Sequence, residues 1–242
     1  MKSKFLVLQH VDWEGPGRLL LDIADRLSIE LHIVPIWKES APDSAGFDAL
    51  ILLGGSPNVD QEELYPFLKE EKRFLQAWLA LDKPCLGFCL GHQLLADAFQ
   101  AKVGPNFMTS VGFIEGYLTH DGREHPLFKG IQTPFPLFKW HGQAIRTPLP
   151  HNFILLATSS ECVVEAFTIK GRTLIIGLQC DNHAAHPDDV YRWMENDHDW
   201  LSRLPPELVS GSALLGQAKK SMKTNRAMFT QLFKNFVSLV NK

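Results

Sequence analysis

The chain of 242 residues has the length of one large α/β domain, or of one domain with an appendage. Hydrophobic residues make up 45% and charged residues 21%, which is sufficient for an ordinary globular core. A formal net charge of −3 argues against a general nucleic-acid-binding protein, and no apolar run approaches the ~20 residues of a membrane-spanning helix. The composition therefore predicts a soluble protein that binds neither nucleic acid nor membrane.

The N-terminal segment and the cysteines indicate the cellular compartment of the protein. The apolar stretch at the N-terminus is short and is interrupted by Gln9, His10 and Asp12, so it is predicted to be a strand and not a signal peptide. The four cysteines are Cys85, Cys89, Cys162 and Cys180. They lack the Cys-x-x-Cys spacing of a zinc site, and a chain of this length does not need disulfide bonds. We therefore expect a cytoplasmic protein with free thiols and without a metal or cofactor.

The first hundred residues alternate between apolar runs and segments of helical periodicity. Continuous apolar runs predict strands at 5–8, 31–36, 49–53 and 84–88, and such runs are typical of a parallel sheet covered on both faces. Apolar residues at helical spacing predict helices at 19–27, 66–81 and 91–99. Strands that alternate with helices predict an α/β fold, a mainly parallel sheet flanked by helices.

The second half of the chain is predicted to contain further strands and two helices. Strands are expected at 113–118, 136–140, 153–158, 163–170 and 173–180, with a hairpin turn at Lys170-Gly171 between the last two. A short helix is expected from Pro187 to Glu195.

The C-terminal segment from Ser212 to Lys242 has six basic residues and no acidic one. Phe229, Leu232, Phe236 and Leu239 recur in it at helical spacing. A basic amphipathic helix can bind membranes or partners, but docking of its apolar stripe on the domain is the favoured interpretation. We therefore predict one domain over residues 1–200 and a helical extension over 201–242, packed on the domain or on a partner subunit.

The segment Gly87-Phe88-Cys89-Leu90-Gly91 lies between a predicted strand and a predicted helix. A nucleophile elbow needs small residues two positions before and after the nucleophile, because larger side chains would collide in so tight a turn. The turn lifts the thiol of Cys89 above the sheet and places it at a helix N-terminus, where partial positive charge favours the thiolate. The motif thus predicts a cysteine nucleophile whose pKa lies below the ~8.5 of a free cysteine.

Extended to Gln93, this motif resembles the Gly-x-Cys-x-Gly-x-Gln elbow of the class I, or triad-type, glutamine amidotransferases. Further stretches that match the family are 9–11, 14–17, 53–58, 140–142 and 177–180, so the resemblance spans nearly all of residues 1–200. Within the family the chain is similar to the glutaminase domain of GMP synthase. The resemblance implies a flavodoxin-like fold with a C-terminal helical extension.

The resemblance also assigns roles to residues. It implies that Gly54 and Gly55 form the oxyanion loop, and glycines allow backbone N–H groups to approach a tetrahedral intermediate closely. The backbone amide of Leu90 can supply a second donor. By the same resemblance Gln93 helps to hold the substrate. His141 falls in a family stretch that usually ends in Asp, which Gln143 replaces here, so a substrate-site role and a structural role both stay open for His141.

The main departure from the family pattern follows Gly177-Leu178-Gln179-Cys180. The family has His-x-Glu next, in which the histidine takes the thiol proton and the glutamate orients the histidine. This chain has Asp181-Asn182-His183. Three alternatives follow: His183 acts from a shifted position with Asp181 as its partner, another residue acts as the base, or the site does not hydrolyse glutamine.

The resemblance implies an enzyme that hydrolyses the amide of glutamine, or of another γ-glutamyl compound, through a thioester on Cys89. The chain has no Gly-x-x-x-x-Gly-Lys-Ser/Thr loop for ATP, so the ammonia would pass to a separate synthetase subunit. Two alternatives remain: a γ-glutamyl peptidase or hydrolase, and a catalytically impaired pseudoenzyme that binds a partner or metabolite in the same pocket. Docking of the C-terminal helix on a second copy would give a homo-oligomer.

Overall fold

A computed structural model describes residues 2–206 and 211–242 of the chain. Its strands are β1 (Lys4–Gln9), β2 (Glu30–Pro35), β3 (Ala49–Leu52), β4 (Cys85–Phe88), β5 (Val103–Leu118), β6 (Phe135–Ile145), β7 (Phe153–Ser159), β8 (Ala166–Ile169) and β9 (Arg172–Leu178). They form one sheet in the order β2-β1-β3-β4-β9-β8-β7-β5-β6. The strands from β2 to β9 in this order pair in parallel, and those from β9 to β6 pair antiparallel.

The helices are α1 (Gly17–Arg26), α2 (Phe67–Ala80), α3 (Leu90–Ala98), α4 (His120–Glu124), α5 (Pro187–Asn196), α6 (His198–Leu201) and α7 (Gly211–Val240). Helices α1, α5 and α7 bury their apolar residues in a core on one face of the sheet, and α2 and α3 do so in a core on the other face. β1, β3 and β4 are buried and mostly apolar because this part of the parallel sheet is covered on both sides, whereas the edge strand β2 is largely exposed. The predicted helix-flanked α/β sheet is confirmed as a single mixed sheet.

The sequence-based boundaries fail mainly in the antiparallel half of the sheet. β5 begins ten residues before the predicted 113–118 strand, and its register with β6 shifts between Pro105 and Ser110. Its N-terminal half lacks an apolar alternation because it is only partly buried, so the pattern for a strand is weak there. β8 begins at Ala166 and not at the predicted Val163. The short helices α4 and α6 have no clear periodicity in the sequence.

Helix α7 packs on the domain through the side chains that the sequence indicates, with one exception. Phe229, Leu232 and Phe236 are buried, whereas Leu239 is only partly buried. The spacing does not single out Phe233, but this residue is fully buried, and its ring centroid lies 6.2 Å from that of Phe5 on β1. Of the helices described, α7 included, none is long and apolar enough for a membrane crossing.

Candidate active site

Cys89 is the residue between β4 and α3, and its backbone is strained. Its φ of 46° and ψ of −104° cost a non-glycine residue of the order of 1–3 kcal/mol. Two glycines leave room for the turn: a Cβ on Gly87 would lie 2.4 Å from the carbonyl oxygen of Gly91, and a Cβ on Gly91 would lie 2.4 Å from that of Leu52. The predicted strand-to-helix turn is therefore present. That Cys89 acts as the nucleophile stays a prediction.

The elbow opens on a cleft of about 650 Å³. The residues assigned to the site from the sequence that line this cleft are Gly55, Cys89, Leu90, Gln93 and His141. Gly54 lies directly beside the thiol, because a Cβ on Gly54 would be 3.4 Å from the Cβ of Cys89. Asp181 and His183 do not line the cleft and are fully buried. The fold therefore brings all the predicted site residues to one place, with the Asp181–His183 pair beneath the surface of the cleft.

Two backbone amides are available to a ligand beside Cys89. The amide of Gly91 donates to the carbonyl of Leu53 at 3.0 Å, and that of Cys89 donates to the carbonyl of Leu178 at 2.9 Å, so both are already used. Within the described residues, no carbonyl accepts a hydrogen bond from the amide of Gly55, which lies at the edge of the cleft. The amide of Leu90 reaches the thiol itself and lowers its pKa. The amides of Gly55 and Leu90 can therefore serve as oxyanion donors.

Asp181 lies between Cys89 and His183. The negative charge of Asp181 raises the pKa of the Cys89 thiol, and Oδ1 of Asp181 lies 3.4 Å from Nε2 of His183. Within the described residues, neither oxygen of this carboxyl has a hydrogen bond of good geometry. The other ring nitrogen of His183, Nδ1, lies 2.9 Å from the carbonyl oxygen of Pro16. The arrangement expected from the sequence has the imidazole facing the thiol and the carboxylate behind it, and the observed order is the reverse. The reason is local: after β9 the chain forms a 3-10 turn at Asn182–Ala184 and does not continue as a strand.

The predicted low pKa of Cys89 is wrong. Burial raises the pKa of this thiol well above its ordinary value, and the negative charges of Asp181 and Glu14 raise it further. The buried cation of Lys139 and the amide of Leu90 lower the pKa, but these contributions are smaller. The helix N-terminus that suggested a reactive thiolate is therefore outweighed by removal from water, by the charge of Asp181, whose opposing effect the sequence allows for, and by that of Glu14, which it does not.

Glu14 and Asp197 are acidic groups of the cleft that sequence reasoning missed. Glu14 is 5% exposed and accepts a hydrogen bond from Oγ of Ser56 at 3.3 Å. Burial, followed by the charges of Asp197 and Asp181, raises the pKa of Glu14 well above its usual range. One signal was present in the sequence, since Glu14 begins a stretch that matches the family; Asp197 lies beyond the matching stretches and carried none.

Two indole groups hold the carboxyl of Asp197. Nε1 of Trp13 donates to Oδ1 at 3.0 Å, and Nε1 of Trp140 donates to Oδ2 at 2.8 Å. Burial raises the pKa of Asp197, and the two indole hydrogen bonds oppose that rise. A carboxyl that is held on both oxygens keeps a fixed orientation at the cleft wall.

His141 and His92 are neutral histidines near the elbow. Burial lowers the pKa of His141 well below its ordinary value and that of His92 to about 3. Neither ring has a hydrogen-bond partner among the described residues. His141 lines the cleft and His92 does not, so only His141 can offer a neutral ring nitrogen to a ligand. A substrate role for His141 stays a prediction.

The side chain of Gln93, a residue of α3, is held at the cleft by two hydrogen bonds. Its Nε2 donates to the carbonyl of Gln143 at 3.0 Å and to Oε1 of Gln179 at 3.2 Å. Both amide hydrogens are therefore engaged within the protein. Its carbonyl oxygen is the atom left for a ligand, and its predicted role in substrate binding would use that acceptor.

Helix α7 reaches the segment that carries Asp181 and His183. Nδ2 of Asn182 donates to Oδ1 of the buried Asn225 at 2.7 Å. On the same side of the sheet the ring of Phe229 lies 6.2 Å from that of Phe88, which in turn lies 4.6 Å from the ring of His183. The C-terminal helix thus supports both the elbow and the segment beside it.

Comparison with known proteins settles the family. Residues 17–192 match the family model for glutamine amidotransferase class-I, which is well over half of the chain. The chain belongs to the class I glutamine amidotransferase family. A glutamine-hydrolysing GMP synthase subunit of Archaeoglobus fulgidus is 34% identical to it over 181 residues, 72% of this chain and 86% of that protein. The anthranilate synthase component 2 of the same organism is 32% identical over 177 residues, 72% of this chain and 88% of that protein.

A solved structure shows the same fold. A glutamine amidotransferase of Thermotoga maritima superposes with a TM-score of 0.86 at 24% sequence identity, over 98% of this chain and 99% of that one. The likeness extends over α7, so the C-terminal helix belongs to the shared fold.

The described residues offer no group of side chains that suits a metal ion. Across residues 2–206 and 211–242, no three His, Cys, Asp or Glu side chains are grouped so that they could hold one. Two of the acidic groups of the cleft, Glu14 and Asp197, are instead engaged by Ser56 and by two indoles.

Proposed function

We propose that this chain hydrolyses the side-chain amide of glutamine through a thioester on Cys89 and passes the ammonia to a separate synthetase subunit. One arrangement carries the proposal: the strained elbow presents Cys89 to a cleft beside the amides of Gly55 and Leu90. A carbonyl group held above the thiol would direct its oxygen toward these two N–H donors. Such donors stabilise the oxyanion of a tetrahedral intermediate.

The proposed reaction uses Asp181 as the proton acceptor. Sγ of Cys89 attacks the amide carbon while the thiol proton passes to the carboxylate of Asp181. Collapse of the tetrahedral intermediate breaks the C–N bond, and the proton returns to the departing nitrogen, which leaves as ammonia. Water then attacks the thioester, releases glutamate and restores the thiol. Burial raises the pKa of Asp181, which makes it a stronger base than an exposed carboxylate, and the ring of His183 supports it from behind.

The same geometry implies slow turnover by the isolated chain. The pKa of Cys89 is raised well above its ordinary value. A carboxylate, even one whose pKa is raised like that of Asp181, is a weaker base than a thiolate, so proton transfer from the thiol to the carboxylate is uphill. A synthetase subunit that rearranges the segment around Asp181 would lower this barrier. Several relatives are glutamine-hydrolysing GMP synthase subunits and one is an anthranilate synthase component, so the similarity favours a synthetase partner of the GMP synthase type.

Two observations favour alternatives. A cleft of about 650 Å³ lies in the range that holds drug-sized ligands, which leaves room for a γ-glutamyl peptide or amine as substrate. The carboxyl of Asp181 beside the thiol favours a binding protein without turnover, because the position lacks an imidazole.

Turnover assays on the purified chain discriminate these functions. The chain is incubated with L-glutamine or with a γ-glutamyl dipeptide, and glutamate and ammonia are measured. We expect slow glutamate and ammonia release from glutamine that Cys89→Ser abolishes and that Cys162→Ser, a change at a buried thiol outside the cleft, leaves intact. Faster release from the dipeptide would favour the hydrolase. Calorimetric binding of glutamine without turnover of either compound would contradict the proposal and favour the binding protein.

A further inference from the structure

His10 and Glu71 form a buried pair behind the oxyanion loop. His10 follows β1, Glu71 lies in α2, and neither side chain is exposed to solvent. Nε2 of His10 lies 2.8 Å from Oε1 of Glu71, and Nδ1 lies 2.9 Å from the carbonyl oxygen of Gly54. A Cβ on Gly55 would lie 2.6 Å from the Cβ of His10, so the imidazole is packed directly against the loop.

The proton count of this pair follows from its neighbours. The carbonyl of Gly54 can only accept, so Nδ1 of His10 must carry a proton. The contact between Nε2 and Glu71 needs a second proton, whether it resides on the ring or on the carboxyl. The pair therefore holds two protons when both hydrogen bonds are made. Burial lowers the pKa of His10, but the charge and hydrogen bond of Glu71, with the backbone of Gly54, raise it above its usual value overall.

The hydrogen bond to Gly54 also sets the direction of the next amide. In a planar trans peptide the C=O and N–H bonds point in opposite directions. The carbonyl of Gly54 points to His10, so the N–H of Gly55 points to the side of the peptide away from His10. Gly55 lines the cleft with Cys89, and a Cβ on Gly54 would lie 3.4 Å from the Cβ of Cys89, so Cys89 lies next to this peptide.

We propose that His10, held by Glu71, is a positioning residue that fixes the Gly54–Gly55 peptide with its N–H toward Cys89. Glycine at both positions would otherwise let this peptide rotate easily, because neither residue restricts its backbone dihedral angles. The role in catalysis rests on the proposed function, since an oriented N–H matters only if an oxyanion forms there. The orientation itself does not depend on turnover and can be tested separately.

Two substitutions of His10, one of them combined with a change of Glu71, separate the two hydrogen bonds of His10. Asn places its amide where Nδ1 lies, so His10→Asn keeps a donor for Gly54; it is combined with Glu71→Leu to avoid an unpaired buried carboxylate. Gln places its amide where Nε2 lies, so His10→Gln keeps the contact with Glu71 and loses the bond to Gly54. Removal of one oxyanion donor costs about 10²–10³ in kcat, so we expect His10→Gln to lower kcat by roughly 10–100-fold with KM nearly unchanged. The double variant, although it changes more atoms, should retain most of the parent kcat.

Crystal structures of the same two variants provide a readout that does not need activity. We expect the Gly54–Gly55 peptide to keep its orientation in the double variant and to rotate in His10→Gln, with thermal unfolding midpoints close to that of the parent in both. An unrotated peptide in His10→Gln, or an equal loss of kcat in both variants, would overturn the proposal. If the parent protein lacks turnover, the proposed function fails, and the crystal structures still decide whether His10 orients the peptide.

Discussion

Replacing Asp181 by Asn should make the Cys89 thiol more acidic. The substitution keeps the size of the side chain and removes a negative charge that raises the pKa of the thiol. A Cβ on Gly54 would lie 3.0 Å from Oδ1 of Asp181 and 3.4 Å from the Cβ of Cys89, so these two atoms are at most about 6.4 Å apart. Sγ is one bond away from that Cβ, so at a separation of about 6–8 Å and an effective dielectric constant of about 20, one unit charge changes the free energy of thiolate formation by roughly 2–3 kcal/mol. Because the ring of His183 lies 3.4 Å from this carboxyl, we expect Asp181→Asn to stabilise the thiolate by roughly 1–2 kcal/mol.

Alkylation kinetics measure this change directly. Only the thiolate reacts, and a more acidic thiol is a weaker nucleophile, so the larger thiolate fraction should raise the rate of iodoacetamide labelling at pH 7 by roughly 2–8-fold. Labelling is followed by mass spectrometry of the peptide that contains Cys89. Asp199→Asn is the matched control, because it removes the same charge from an exposed residue of the same cleft. The reasoning would be refuted by an unchanged or slower labelling rate in Asp181→Asn. Glutaminase turnover should fall in that variant, since an amide cannot accept the thiol proton.

Three further outcomes are expected. His183→Ala removes a group that lowers the pKa of Asp181, so that pKa should rise. The acidic limb of the pH–rate profile should then move to higher pH, and an unshifted limb would show that His183 does not act on the proton acceptor. The pKa of Glu14 is higher in the folded than in the unfolded state, so its contribution to stability is present below the unfolded pKa and is lost as pH rises through the folded pKa. Glu14→Gln removes this loss, so it should raise the thermal midpoint at pH 7–8 by about 2–4 °C for each kcal/mol of stability gained. The thermal midpoint of the variant should also depend less on pH. Phe233→Ala should lower the free energy of unfolding by about 3–5 kcal/mol, against less than about 0.5 for the exposed Leu81→Ala, and equal denaturation midpoints for the two would show that α7 does not pack as described.

The elbow could be predicted from sequence because its requirements are local. Gly87 and Gly91 sit where a Cβ would meet backbone within 2.4 Å, so the need for glycine is visible in the chain as a spacing. The parallel strands were predicted for a similar reason: burial on both faces leaves a continuous apolar run. The hydrophobic periodicity of the last segment likewise predicted a helix and most of its buried face.

The electrostatics of the site could not be predicted, because they depend on groups brought together from distant parts of the chain. Glu14 precedes α1 and Asp197 follows α5, and only the folded sheet places both near Cys89. The order of Asp181 and His183 depends on a 3-10 turn, and one residue more or less decides which side chain meets the thiol. The pairing of His10 with Glu71 joins residues 61 positions apart, with no motif to connect them.

The hydrogen bond from Asn182 to Asn225 has a consequence for biosynthesis. The elbow, the Gly54–Gly55 loop and all strands of the described sheet precede α7 in the chain, so a ribosome delivers them first. The segment that bears Asp181 and His183 gains its support from Asn225 only when α7 has emerged and docked. A nascent chain would therefore hold the elbow and the segment of Asp181 without the support of Phe229 and Asn225 until α7 has left the ribosome and docked.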